Sequence, residues 1–180
     1  LAEKSLNLMG WELDNHWDVN VDQCVMIAAP HTSNWDALYA RLALKALGVN
    51  VRLTIKDSYM KLPFGPFVRA MGGIGIDRRV KQAGQERPSM VQLMSDLFKT
   101  HAKLVMLVTP EETRAKQEQW KTGFYHVAMT AGVPIALAYM DYAKKKTGVG
   151  KMIYPTGNYE QDMAEIMAFY AEINAKHPEK

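Results

Sequence analysis

Cysteine occurs once in this 180-residue chain, so the chain has no internal disulfide and no cysteine-rich metal site. The lone Cys24 lies in the apolar run Cys24–Ala29, which reads as a buried strand and makes it a small core residue, not a nucleophile. Long apolar runs are also lacking. None reaches the roughly 18 residues that a membrane-spanning helix requires. No basic segment followed by an apolar run opens the sequence from Leu1, so no secretion signal is expected there and a reducing, cytoplasmic setting is. Excess charge of one sign is small, at +3, too little for a nucleic-acid footprint but compatible with phosphate or anionic headgroups. No two of the five histidines have metal-ligand helical spacing, and no metal is expected.

Repeats, low-complexity tracts and composition shifts are absent as well, which gives one domain over residues 1–180. What is present is an alternation of short apolar runs with segments of helical period. The strands are expected at Val25–Ala29, Val51–Ile55, Gly73–Ile76, Leu104–Val108 and Ile135–Tyr139, with a weaker one at Met152–Tyr154. The helices are expected at Asn34–Leu47, Phe64–Met71, Pro88–Thr100, Gly123–Ala131 and Tyr159–Lys176, with Gly48 and Gly132 as C-terminal caps. Such alternation predicts an α/β fold: a largely parallel or mixed central sheet with helices on both faces. Leu6, Met9 and Leu13 stand at helical spacing near the N-terminus, so residues 1–20 read as a helix that lies on a membrane or packs on the domain. The Lys144–Lys146 run reads as an exposed turn, His126 as a core or boundary residue, and His16, His101 and His177 as surface residues.

His31 follows Pro30 between an expected strand and an expected helix, where ligands gather in open α/β sheets. A neutral imidazole accepts a proton near neutral pH, and a carboxylate on its other nitrogen fixes the tautomer it needs as a base. Asp36, five residues on, is placed to be that carboxylate. Ser33 and Asp36 equally form a capping-box pattern that accounts for both by helix initiation. Spacing alone leaves the two readings open.

The segment His31-Thr32-Ser33-Asn34-Trp35-Asp36 resembles the His-x4-Asp block of the glycerolipid acyltransferase family. Gly72-Gly73-Ile74-Gly75-Ile76-Asp77-Arg78 resembles that family's second block and Pro110-Glu111-Glu112-Thr113-Arg114 its third. Trp120–Phe124 and Val133–Leu137 are similar to the family's later segments, in the same order. Pro30, Gly75 and Glu112 depart from the usual Asn, Phe and Gly.

The resemblance implies transfer of an acyl group from acyl-CoA or acyl-carrier protein to a lysolipid hydroxyl, with no further cofactor. It makes His31 the general base and Asp36 its orienting carboxylate. Arg78 and Arg114 would hold the acceptor phosphate, Thr113 would donate to it, and Glu111 would orient Arg114 or nearby backbone. Lys56, at the end of a strand, is a further phosphate ligand or a plain surface lysine. Peripheral contact with the inner face of the membrane is expected, and no nucleic-acid partner. Hydrolysis of the thioester on the same scaffold, and lipid binding without turnover, are the alternatives.

Overall fold

The computed structural model describes residues 2–30, 33–61, 63–77, 88–111 and 120–177. Within them the chain forms seven strands and six α-helices. The strands are β1 (Glu12–Asn15), β2 (Gln23–Ala29), β3 (Val51–Lys56), β4 (Gly73–Ile76), β5 (Leu104–Val108), β6 (Ile135–Asp141) and β7 (Lys146–Ile153). The helices are α1 (Ala2–Leu8), α2 (Asn34–Ala46), α3 (Gly65–Ala70), α4 (Met90–Thr100), α5 (Gly123–Ala131) and α6 (Tyr159–Ala171), with a 3₁₀ turn at Asp57–Met60.

The strands build one mixed sheet in the order β1-β7-β6-β2-β5-β3-β4. All pairs are parallel except β6 with β7. The fold is α/β, as the alternation of elements predicts. Because β6, β2, β5, β3 and β4 run the same way, their carboxyl ends share one edge of the sheet.

Alternate residues of β2, β5 and β6 feed two cores, one on each face. Val25, Ile27, Met106, Ile135 and Leu137 pack under α4, α5 and α6 with Phe98, Phe124, Val127 and Ile166. Cys24, Met26, Val105, Ala136 and Ala138 pack under α2 with Leu44. Every residue of β6 is buried, which explains its unbroken apolar run. At roughly 25 cal/mol per Å² of apolar area, these two layers supply the main stabilisation.

Two expected boundaries shift for identifiable reasons. α4 starts at Met90, because Ser89 is its cap and its side chain accepts from the Gln92 N–H at 3.1 Å; Pro88 lies before it. α6 stops at Ala171, not Lys176, because Asn174 leaves the helix to bind the β6–β7 turn, its carbonyl accepting from Tyr142 N–H and its side chain donating to Asp141. The N-terminal stretch is also shorter as a helix than expected. α1 packs on α2 through fully buried Leu6, and β1 follows where helix was expected. Gly132 ends α5 with φ of 68°, as its capping role requires. Lys145 and its neighbours form the β6–β7 turn, with Lys146 already in β7. His126 is exposed and stacks on Tyr159, so it is a surface residue and not part of the core.

Candidate active site

α2 begins at the carboxyl edge, directly beyond β2. Ser33 is its N-cap in extended conformation, and its side chain accepts from the Trp35 N–H at 3.2 Å. The capping box is complete: Asp36 Oδ2 accepts from the Ser33 N–H at 2.8 Å. Its other oxygen, Oδ1, accepts from the Tyr142 hydroxyl at 2.7 Å. The Asp36 carboxylate is 3% exposed and is therefore held from two sides in a site shielded from water. Charge-assisted bonds of this kind are short and about twice as strong as neutral ones. A carboxylate has about four lone-pair positions, so two such bonds are compatible with an imidazole N–H as a further donor.

Tyr142 follows β6 and comes from 106 residues away, so no local pattern could have paired it with Asp36. Its burial, and then its bond to Asp36, push its phenol well above the usual tyrosine range. It therefore remains a donor at any ordinary pH. Trp11 packs edge-on against its ring at 5.0 Å, and the Lys176 ammonium lies 5.9 Å from the ring centre. These contacts fix the ring that aims the hydroxyl.

Asp36 lines an apolar cavity of about 300 Å³ between α2 and the carboxyl halves of the central strands. Small residues make the space: Ala28 and Ala138 on the sheet, Ala40 and Ala43 on α2. Leu53 and Leu107 line its far side, and Pro30 stands at the end of β2. A second cavity of about 460 Å³ lies beyond the end of β5, with Thr109, Pro110 and Lys121 among its lining. Leu107 and Thr109 border both.

Of the site residues expected from sequence, Asp36, Lys56 and Glu111 are described. They stand at or beyond the carboxyl ends of β2, β3 and β5, three strands adjacent in the order β2-β5-β3, so the fold gathers them at one edge. Glu111 lies on the α6 side, near enough to Tyr170 that its charge adds to the burial that raises that phenol. Lys56 is exposed where β3 passes into the 3₁₀ turn. His31, Arg78, Thr113 and Arg114 lie outside the described residues, as does Glu112. Among the described residues, no group of three or more His, Cys, Asp or Glu side chains is arranged to hold a metal ion.

The family's usual Phe has no room at position 75. A Cβ on Gly75 would stand 2.7 Å from Met60 Cγ, because the 3₁₀ turn packs directly on β4. This departure in the second block is thus a packing feature of the sheet edge.

A profile of the acyltransferase family matches residues 12–141, from the first residue of β1 to the last of β6. The chain belongs to the acyltransferase family. It is accordingly an acyltransferase enzyme. No curated protein matches the chain. In this acyltransferase, Tyr142 falls one position beyond the matched span, while Asp36, Lys56 and Glu111 fall within it.

Among the described residues a His–Asp pair is formed by His16 Nδ1 with Asp14 Oδ1 at 2.6 Å. It belongs to the outer strand β1, where Asp14 also accepts from the Tyr139 hydroxyl at 2.6 Å and fastens β1 to β6 across β7. Cys24 is fully buried in β2, and desolvation pushes its thiol up to about 12, so it is no nucleophile.

Proposed function

We propose that this acyltransferase moves a fatty acyl group from acyl-CoA or acyl-carrier protein to the hydroxyl of a lysophospholipid such as 1-acylglycerol-3-phosphate. His31 takes the acceptor hydroxyl's proton as the oxygen attacks the thioester carbonyl. Asp36 orients the imidazole and stabilises the imidazolium. The tetrahedral intermediate collapses with cleavage of the C–S bond, and the imidazolium returns its proton to the departing thiolate. Arg78 and Arg114 hold the acceptor phosphate, with Thr113 and Lys56 as further donors, and Glu111 orients Arg114 or adjacent backbone. No resident cofactor is used. The enzyme works in the cytoplasm, peripherally, at the inner face of the membrane.

The observation that carries this reading is the buried Asp36, tied to Ser33 and Tyr142 and lining an apolar cavity at the carboxyl edge of the sheet. An acyl chain is the kind of ligand that an alanine-walled cavity of this size admits. A chain whose single thiol is buried and poorly ionised also favours direct transfer over a cysteine-bound acyl intermediate.

The test is release of free thiol from acyl-CoA in the presence of lysophosphatidic acid, with mass spectrometry of the lipid product. Release that depends on acceptor, with loss of at least about a hundredfold in His31→Ala, is the expected result. An undiminished rate in that variant would overturn the mechanism, and thiol release without an acylated lipid would replace transfer by hydrolysis.

A further inference from the structure

The strand β4 carries glycine at alternate positions 73 and 75, which face the same side of the sheet. A Cβ on Gly73 would stand 2.6 Å from Val68 Cγ1, and one on Gly75 would meet Met60. α3 and the 3₁₀ turn before it therefore press against this strand. Their outward side is unusual for a soluble domain. Phe64, Phe67 and Met71 recur at i, i+3 and i+7, a single helical stripe, and the two rings are 65% and 67% exposed. Tyr59, from the 3₁₀ turn, is 60% exposed.

The charge around this stripe has one prevailing sign. Lys56, Lys61 and Arg69 are exposed, and Asp57 is the one acidic residue between positions 56 and 71. The stripe also has a defined place. β3 ends at Lys56 on the same edge as Asp36, so the 3₁₀ turn and the start of α3 stand at that edge, from which α3 runs back toward the start of β4. Trp35, 54% exposed on the first turn of α2 with the Lys176 ammonium 5.4 Å over its ring, lies at that edge too.

We infer that the outer face of α3 docks on a bilayer surface containing anionic phospholipid. Phe64, Phe67 and Met71 enter the boundary between headgroups and acyl chains, while Lys61 and Arg69 meet the phosphates. Aromatic side chains beside cations are the composition that interfacial elements use. A second copy of the chain fits the face less well, because a two-fold contact would set the same cations against each other. Docking this way brings the end of β3, at the carboxyl edge, next to the membrane, where both the acyl chain and a lipid acceptor reside. The inference rests on the proposed lipid substrates for its purpose, but its test does not depend on them.

The full chain is floated with vesicles of phosphatidylcholine, with and without phosphatidylglycerol. The unmodified protein is expected to float with the anionic vesicles and much less with the neutral ones. The exposed-site variant Phe64→Ser/Phe67→Ser is expected to bind at least about tenfold more weakly, since burying one such ring is worth that factor or more. Lys61→Glu/Arg69→Glu is expected to lose the preference for phosphatidylglycerol. Both variants should keep the transfer rate on short-chain, water-soluble substrates. Should the serine variant fail to fold, the charge variant still decides the matter. Flotation unaltered in both variants overturns the inference. So does sedimentation showing an unmodified dimer that the serine variant splits, with flotation unchanged. Flotation lost in the variants while no acyl transfer is found in any form would uphold the docking face and remove the proposed reaction.

Discussion

Replacing Tyr142 by Phe deletes one hydroxyl and little else. The ring keeps its packing against Trp11 and its place near Lys176, while Asp36 Oδ1 loses a donor at 2.7 Å. A hydrogen bond to a charged group is worth about 1.5–3 kcal/mol, and the carboxylate left behind is buried. For a domain of this size, that loss lowers the melting temperature by roughly 3–10 °C. The kinetic consequence is more specific. The phenol withdraws charge from Asp36, so without it the carboxylate stabilises an imidazolium at His31 more strongly. The proposed base then has to be freed of its proton at higher pH. The acid limb of kcat/KM is expected to move upward by a few tenths of a pH unit to about one unit, each unit being about 1.4 kcal/mol. A residue that merely held the fold together would reduce the amount of active enzyme without displacing that limb. A melting temperature and a pH profile both equal to the unmodified enzyme's would refute the coupling of Tyr142 to the site.

The two roles of Asp36 separate in a pair of variants. Ser33→Ala should cost about 1 kcal/mol in urea unfolding through loss of the cap and leave the rate within a few-fold, because the Ser33 N–H still holds Asp36. Asp36→Asn keeps one acceptor oxygen and presents an NH2 group in place of the other, so it should lose part of the stability and at least about a hundredfold in kcat; loss of rate only in proportion to stability in both variants would leave only the cap. Cys24 should be silent to a thiol reagent in the native enzyme and react once the chain is unfolded; rapid native labelling would contradict its burial. Tyr125 is pushed up to about 12 by burial and then by its bond to Asp162, and Tyr139, Tyr142 and Tyr170 are raised as well. A folded pKa above the unfolded value of about 10 gives stability that is present below pH 10 and drains away as pH rises toward 12. Phenolate absorbance from these four should therefore appear together with loss of circular dichroism, and separate transitions would refute it.

The sheet was legible where both faces are covered. β4 and β5 and helix α5 have the bounds expected from sequence, and β2, β3 and β6 lengthen by one or two residues at an end. β2, β5 and β6 are apolar throughout most of their length because core layers cover both of their faces, while the edge strand β4 shows only its alternating Ile74 and Ile76. The strands β1 and β7 were not legible in this way. β7 carries Gly148 and Gly150 where a buried strand would carry branched residues, and only its end was expected. Those positions are small for a reason the linear sequence hides. A Cβ on Gly150 would stand 2.5 Å from the Phe169 ring, and one on Gly148 would collide with the β1 backbone. β1 has four residues, of which Asp14 is the buried one, because Tyr139 and His16 satisfy it. A charged residue facing inward defeats a reading based on alternation. Likewise the ordered blocks made Asp36 legible, but Tyr142 was not, since a tyrosine after a strand has no signature until the fold brings it to the carboxylate.

In the proposed mechanism capping and catalysis are not rival explanations of Asp36. A carboxylate that is to orient an imidazole must be fixed in position, since an error of about 1 Å costs on the order of a hundredfold. A side chain on a first helical turn is otherwise able to rotate toward solvent. The bond from Ser33 N–H closes the capping box and selects one rotamer, and the bond from Tyr142 holds the other oxygen. Two bonds to two different oxygens define the plane of the carboxylate as well as its place. The helix supplies a further effect, because its N-terminal dipole favours negative charge on the residue that the capping box recruits. The interactions that start α2 are thus the ones that keep Asp36 buried and aimed. In the proposed mechanism the spacing of five residues sets the base, His31, before the cap in sequence and its carboxylate at the third helical position, where a helix can hold it rigidly.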